Sequence, residues 1–170
     1  KNTKIKSKNK IRLVKGSHII TKKLYKEDVA FTFQNSDKRI IFVIPYKKKF
    51  SLIGTTEVEV KSPENSVISK QEIQYLIRSV NNYLKKQISK KDIVDTYSGI
   101  RPLIEDFKEA SKVTRDYVFD LHIVKKLPLL NIYGGKLTTY RKLSEKVLLD
   151  LKKFLPKTKK GPWTDKKKLF

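Results

Sequence analysis

Short runs of apolar residues separated by polar, turn-length breaks dominate the first third of the chain. Arg12–Ile20, Val29–Phe33, Arg39–Pro45 and Phe50–Thr55 have strand length, and Asn35-Ser36-Asp37 and Tyr46-Lys47-Lys48-Lys49 interrupt them as hairpin turns do. The pattern predicts an antiparallel meander. Ile40–Ile44 is apolar without alternation, which predicts a central strand covered on both faces. The period then changes. Ser69 and Glu72 have capping-box spacing, and Ile73, Leu76, Ile77, Val80 and Leu84 recur on one helical stripe, so a helix is expected over 70–86. Strand character returns at Ile93–Ile100, at Arg115–His122 with Tyr117, Phe119 and Leu121 alternating, and at Leu127–Tyr133. A second stripe of Tyr140, Leu143, Val147, Leu148, Leu151 and Leu155 predicts a closing helix that Pro156 stops. The expected class is α+β, a mixed and mainly antiparallel sheet with two packed helices.

Residues 1–10 alternate Lys with small polar residues and read as a basic disordered or linker segment; 11–156 is the expected folded domain, and 157–170 a basic C-terminal tail. At 170 residues the chain can bury a core unaided, and with no Cys it has neither disulfides nor thiolate sites. Two His make a metal cluster implausible, and the longest apolar run, five residues, is far short of a membrane span. The expectation is a cytoplasmic protein, soluble or peripheral. The chain has no Met and begins with Lys1, which suggests a piece of a longer protein, cut out, processed, or the remnant of a decayed gene.

Net charge is +23, which first suggests nucleic acid or an anionic membrane. Residues 1–15 hold seven Lys/Arg and no acid, and 152–170 hold eight with one Asp, so most of the excess sits at the ends. Only six of the 40 basic residues are Arg, the side chain that base readout favours. A solvated Lys-rich surface explains this better than a specific nucleic-acid site. A basic module for RNA or anionic lipid stays as the alternative function.

Gly134-Gly135-Lys136-Leu137-Thr138-Thr139-Tyr140-Arg141 lies between a strand and a helix, where glycines let the backbone approach a ligand and a helix start offers free N–H groups. Spacing alone leaves this equally readable as a tight packing turn. The string resembles a signature of the FAD-dependent glycerol-3-phosphate dehydrogenases. Gly16-Ser17-His18-Ile19-Ile20, Ile44-Pro45-Tyr46, Ile53-Gly54-Thr55-Thr56, Tyr97-Ser98-Gly99-Ile100-Arg101-Pro102-Leu103, Thr114-Arg115-Asp116-Tyr117 and Gly161-Pro162-Trp163-Thr164 are similar to that family in the same order, covering about 11–165. Ser144 departs from its usual Ala.

The resemblance implies the substrate or cap domain of a flavin oxidoreductase that oxidises sn-glycerol 3-phosphate to dihydroxyacetone phosphate and passes electrons to quinone. It implies FAD as cofactor, on a site incomplete here: no Gly-x-Gly-x-x-Gly occurs, so the N-terminal FAD-binding part would be a missing partner and the isolated chain inactive. The parent would be peripheral on the inner membrane, with an anionic membrane surface as possible partner and no specific nucleic acid. Arg101 and Arg115 become phosphate or substrate contacts, although their residues alone allow ion pairs, of Arg101 with Glu105 or Asp106 and of Arg115 with Asp116 or Asp120. His18 becomes the candidate base, against the plainer reading of a structural histidine. Lys136 is implied near flavin and substrate, with a catalytic role. Gly99, Gly135, Lys136, Leu137, Thr138 and Thr139 are implied at the cofactor. No metal is expected.

Overall fold

The computed structural model describes residues 5, 9–105, 116–157, 161 and 163–167. The chain is α+β, with mainly antiparallel strands and two helices, and divides into two compact units, one built on Arg12–Pro102 and the other on a hairpin and the second helix. In the first unit β1 (Ile11–Lys22), β2 (Phe31–Gln34), β3 (Ile40–Tyr46), β4 (Phe50–Gly54) and β5 (Val58–Val60) follow one another before α1 (Lys70–Asn81), and β6 (Ile93–Ile104) comes after it. The sheet order is β2-β3-β4-β1-β5, with β6 also paired to β1. The hairpins β2–β3 and β3–β4 are as the polar breaks predict, but β1 lies beside β4 and β5 and not beside β2, so the four runs do not form one continuous meander.

Register decides which side chains share a face. Phe31, Val43, Ile53 and Ile19 form one cross-strand row, and the next row is Thr32, Phe42, Gly54 and His18. Successive residues on a strand face opposite ways, so the first row points to α1 and the second away from it. Ile19, Ile41, Val43 and Ile53 are buried with Leu76 and Val80 of α1 and with Ile88, which is the core of this unit. The even-numbered β3 residues Ile40, Phe42 and Ile44 are exposed. The continuous apolar run of β3 thus has one face covered by the helix and the other open, which corrects the expectation of cover on both sides.

Helix α1 begins at its capping box, with Ser69 Oγ accepting from Glu72 N at 3.2 Å and Glu72 Oε2 accepting from Ser69 N at 2.8 Å. It ends at Asn81, five residues before the predicted boundary. The Asn81 side chain donates to Ile88 O and accepts from Ile88 N, each at 2.9 Å, so it serves the returning backbone as a strand partner would. Leu84 still packs on the core from beyond the helix. Strand β6 runs on through Pro102 to Ile104 rather than ending at Ile100.

The second unit holds the hairpin β7 (Tyr117–Val124) and β8 (Leu127–Gly134), then α2 (Tyr140–Leu151). Lys125 and Lys126 turn the hairpin in the left-handed region, at φ 49° and 72°. Helix α2 lies on the hairpin through Lys146, whose ammonium sits 5.6 Å from the Tyr117 ring centre and 5.3 Å from that of Phe119. A short 3-10 turn over Lys152–Phe154 follows it. Its predicted stripe is less buried than the periodicity suggests: Tyr140, Leu148 and Leu155 are exposed.

Candidate active site

His18 and Arg101 come together on the face of the first sheet turned away from α1. His18 projects from β1 opposite Gly54 of β4. A Cβ at position 54 would fall 2.1 Å from His18 Cδ2 and 2.6 Å from Cγ, so only glycine lets the imidazole lie over that strand. Arg101 reaches back from β6 over Gly16 of β1, where a Cβ would fall 2.5 Å from Nη2. Both glycines make room for the side chains that cross them, a role the sequence does not announce.

Neighbouring groups fix the guanidinium. Arg101 Nη2 donates to Thr55 Oγ1 at 3.4 Å, and Nη1 lies 3.8 Å from Glu57 Oε1. The Tyr97 ring stands 5.9 Å from the imidazole, tilted by 45°. At Gly99 a Cβ would meet the end of the Tyr97 side chain, its hydroxyl at 3.5 Å and Cζ at 4.0 Å, which are ordinary contacts, so the fold leaves that stretch of β6 open to approach. His18 Nδ1 is buried with no hydrogen-bond partner among the described residues. Burial first, and the positive charge of Arg101 second, hold the imidazole pKa below its ordinary 6.5. The result is a neutral imidazole beside a fixed cation. Such a pair can receive an anion and accept a proton from the same ligand.

The opposite face of the same strands is tied to one carboxylate. Glu72 accepts from Lys15 Nζ at 2.9 Å, from Ser17 Oγ at 2.7 Å, from Thr56 Oγ1 at 2.7 Å and from Ser69 N at 2.8 Å. Burial alone would raise its pKa, but these donors prevail and hold it down at about 2. Lys15 and Glu72 are both buried, with side-chain exposures of 7% and 5%. Neither Lys15, which looks like one more terminal lysine, nor the inward role of Glu72 is evident from the sequence.

The remaining candidates lie elsewhere. Gly135, Lys136, Leu137, Thr138 and Thr139 belong to the second unit, where Gly134 and Gly135 take φ of +72° and +99° and a 3-10 turn over Leu137–Thr139 leads into α2. A Cβ at Gly134 would strike Asp116 O at 2.7 Å. Lys136 caps this turn through its backbone oxygen, which accepts from Thr139 N at 3.0 Å and Thr139 Oγ1 at 2.9 Å, while Leu137 is 88% exposed. Arg115 lies outside the described residues. Among the described residues no group of His, Asp and Glu forms a metal site.

Replacing Gly54 by Ala is expected to expel the imidazole from its seat, because the new methyl meets ring carbons rather than a flexible tip. A cost of about 1–3 kcal/mol in urea unfolding and a large displacement of the His18 ring resonances are expected. Gly16→Ala meets mainly the end of Arg101 and should cost less.

Residues 2–141 match the family described as FAD dependent oxidoreductase. The aerobic glycerol-3-phosphate dehydrogenase of Escherichia coli is 51% identical over 141 residues, 81% of this chain and 28% of that protein. The D-erythritol 1-phosphate dehydrogenase of Brucella abortus is 45% identical over 160 residues, 93% of this chain and 32% of that protein. The X-ray structure of the glycerol-3-phosphate dehydrogenase from Bacillus halodurans complexed with FAD superposes with a TM-score of 0.67 at 25% identity, over 86% of this chain and 27% of that one. The chain thus spans about a third or less of the length of these relatives.

Proposed function

The chain belongs to the FAD dependent oxidoreductase family, and we propose that it is the substrate-binding part, over 11–156, of a longer dehydrogenase acting on a phosphorylated polyol, sn-glycerol 3-phosphate first. The observation that carries this reading is the His18–Arg101 pair seated on Gly54 and Gly16. Relatives named for glycerol 3-phosphate and for D-erythritol 1-phosphate share one chemical pattern, a phosphate dianion and a carbinol a few bonds away. A fork of guanidinium donors suits the phosphate, and a neutral imidazole suits the hydroxyl proton.

Each residue then has a stated task. Arg101, kept in place by Thr55 and Glu57, binds the phosphate and orients the polyol. Arg115, outside the described residues, is assigned to phosphate or substrate contact on the family resemblance alone. His18 takes the proton of the hydroxyl that becomes the ketone, at the nitrogen facing the substrate. The residues of the Gly-Gly loop fit a flavin: left-handed glycines fix the turn without side chains, and the helical turn begins with N–H groups that lack intrahelical partners. Gly135, Lys136, Leu137, Thr138 and Thr139 would hold FAD in the second unit; in the first, Gly99 is the cofactor contact the resemblance implies, on a stretch of β6 open to approach. When bound, FAD supplies the two-electron redox chemistry. Lys136 contributes positive charge at that edge. The longer enzyme would pass electrons to a quinone at an anionic membrane surface; no helix among the described residues is long and apolar enough to cross a membrane.

The test uses an enzyme of the relatives' length that carries this segment. Arg101→Ala is expected to lose about 1.5–3 kcal/mol of kcat/KM on glycerol 3-phosphate, one charge-assisted contact, and far less on glycerol. Equal losses on the two substrates would assign Arg101 a purely structural role and overturn the reading.

A further inference from the structure

We propose that Glu72 is the positioning residue of the His18–Arg101 pair: from behind the sheet, its buried carboxylate fixes the strands whose front faces carry both side chains. The inference rests on the reading of that pair as the reacting site, but its geometry is independent of any substrate. Strand alternation provides the logic. Lys15 and Ser17 of β1 point toward α1, whereas Gly16 and His18, interleaved with them, point to the site. Thr56 turns toward α1 while Thr55 and Glu57 turn to Arg101. On β6, Ser98 turns inward and donates to Ser17 Oγ at 2.9 Å, whereas Tyr97, Gly99 and Arg101 share the front.

Glu72 Oε1 takes the hydroxyls of Ser17 and Thr56, each at 2.7 Å, while Oε2 takes the Lys15 ammonium and the Ser69 N–H. Two backbone bonds reinforce the join: Thr56 N donates to Ser17 O at 3.1 Å, and Ser17 N to Thr56 Oγ1 at 3.0 Å. One carboxylate therefore sets the spacing between β1 and the residues after β4, and through Ser17 the placement of β6. A capping box requires only one acceptor oxygen near the helix start and ordinarily leaves its glutamate wet. Here the same residue is buried and holds three segments. Because His18 and Arg101 come from different strands, their separation depends on this spacing; misplacement on the ångström scale is sufficient to lose productive geometry.

Thr56→Val removes, at nearly constant volume, the Oγ1 that donates to Glu72 and accepts from Ser17 N, and leaves the Lys15–Glu72 ion pair in place; Thr56→Ser retains both bonds. The readout is the NMR titration of His18 in the 170-residue chain. Among the described residues, the charged and titratable groups facing it are Arg101 and Tyr97 of β6, with Glu57 behind the guanidinium. In Thr56→Val the His18 titration should move up toward 6.5 as water and distance weaken the two causes that depress it, with the resonances of His122, in the other unit, unmoved. Thr56→Ser should restore the original titration. Ser17→Ala, which removes the other hydroxyl on Oε1, should act as Thr56→Val does and provides the same readout if the valine variant does not fold. A His18 titration unchanged in the folded variants, with only the unfolding midpoint lowered, would make Glu72 merely structural and overturn the proposal. Because no substrate enters, failure here is separate from failure of the functional reading.

Discussion

Glu72→Ala is expected to remove about 3–5 kcal/mol of stability, a large share of the about 5–15 kcal/mol a domain possesses, because it leaves the Lys15 ammonium buried without its counter-charge. Three further donors, Ser17 Oγ, Thr56 Oγ1 and Ser69 N, lose their acceptor as well. Removing both charges together tests whether the orphaned ammonium is the main cost: Lys15→Met with Glu72→Gln should recover most of the loss, since Gln still accepts at the cap. The same carboxylate gives stability a pH dependence of definite sign. Its folded pKa of about 2 lies below the ordinary 4.5, so its stabilisation is fully present above pH 4.5 and is lost as pH falls toward 2. At about 1.4 kcal/mol per unit, the amplitude is about 3 kcal/mol. Urea unfolding between pH 6 and pH 2 should show this acid arm in the natural chain, and Glu72→Gln should flatten it. An acid arm unchanged in Glu72→Gln would assign it to other carboxylates.

His18→Gln in an enzyme of the relatives' length should lower kcat about 10²–10⁴-fold, the range for loss of a placed general base, with KM little changed because Arg101 still holds the phosphate. The pH profile separates a base from a spacer. A base must be neutral to act, so kcat/KM should fall on the acid side, with the limb below 6.5 because burial and Arg101 depress the imidazole. His18→Gln should abolish that limb. Arg101→Ala should move it upward, as one of its two causes is removed. A limb unchanged in His18→Gln would place the base elsewhere.

Much of the framework was legible in the sequence because it depends on local signals. Polar breaks marked the hairpins, and Ser69 with Glu72 marked the start of α1 within a residue. What was not legible depends on contacts far apart in the chain. The end of α1 is set by Asn81 pairing with the Ile88 backbone, which leaves Leu84 in helical period with a helix that has already stopped. The open front of β3 reads like a buried strand because side-chain type records hydrophobicity and not which face has a neighbour. At the site, family motifs singled out His18 and Arg101, yet the residues that make room for them, Gly54 and Gly16, and those that hold Arg101, Thr55 and Glu57, carry no pattern of their own. Lys15 was concealed by its neighbours: seven basic residues in the first fifteen read as decoration, and only strand parity, with Ser17, Ile19 and Thr21 inward, places this one inside.

The central claim is that the front of this sheet receives a phosphorylated polyol between Arg101 and His18. Its most direct test is an NMR titration of the 170-residue chain with glycerol 3-phosphate, and in parallel with glycerol, following the His18 ring and the Arg101 guanidinium. We expect both groups to shift together and saturably with glycerol 3-phosphate and to stay unmoved with glycerol, while Arg101→Ala abolishes the response of His18. Shifts confined to the lysine-rich ends, with His18 and Arg101 unmoved at saturating glycerol 3-phosphate, would contradict the account.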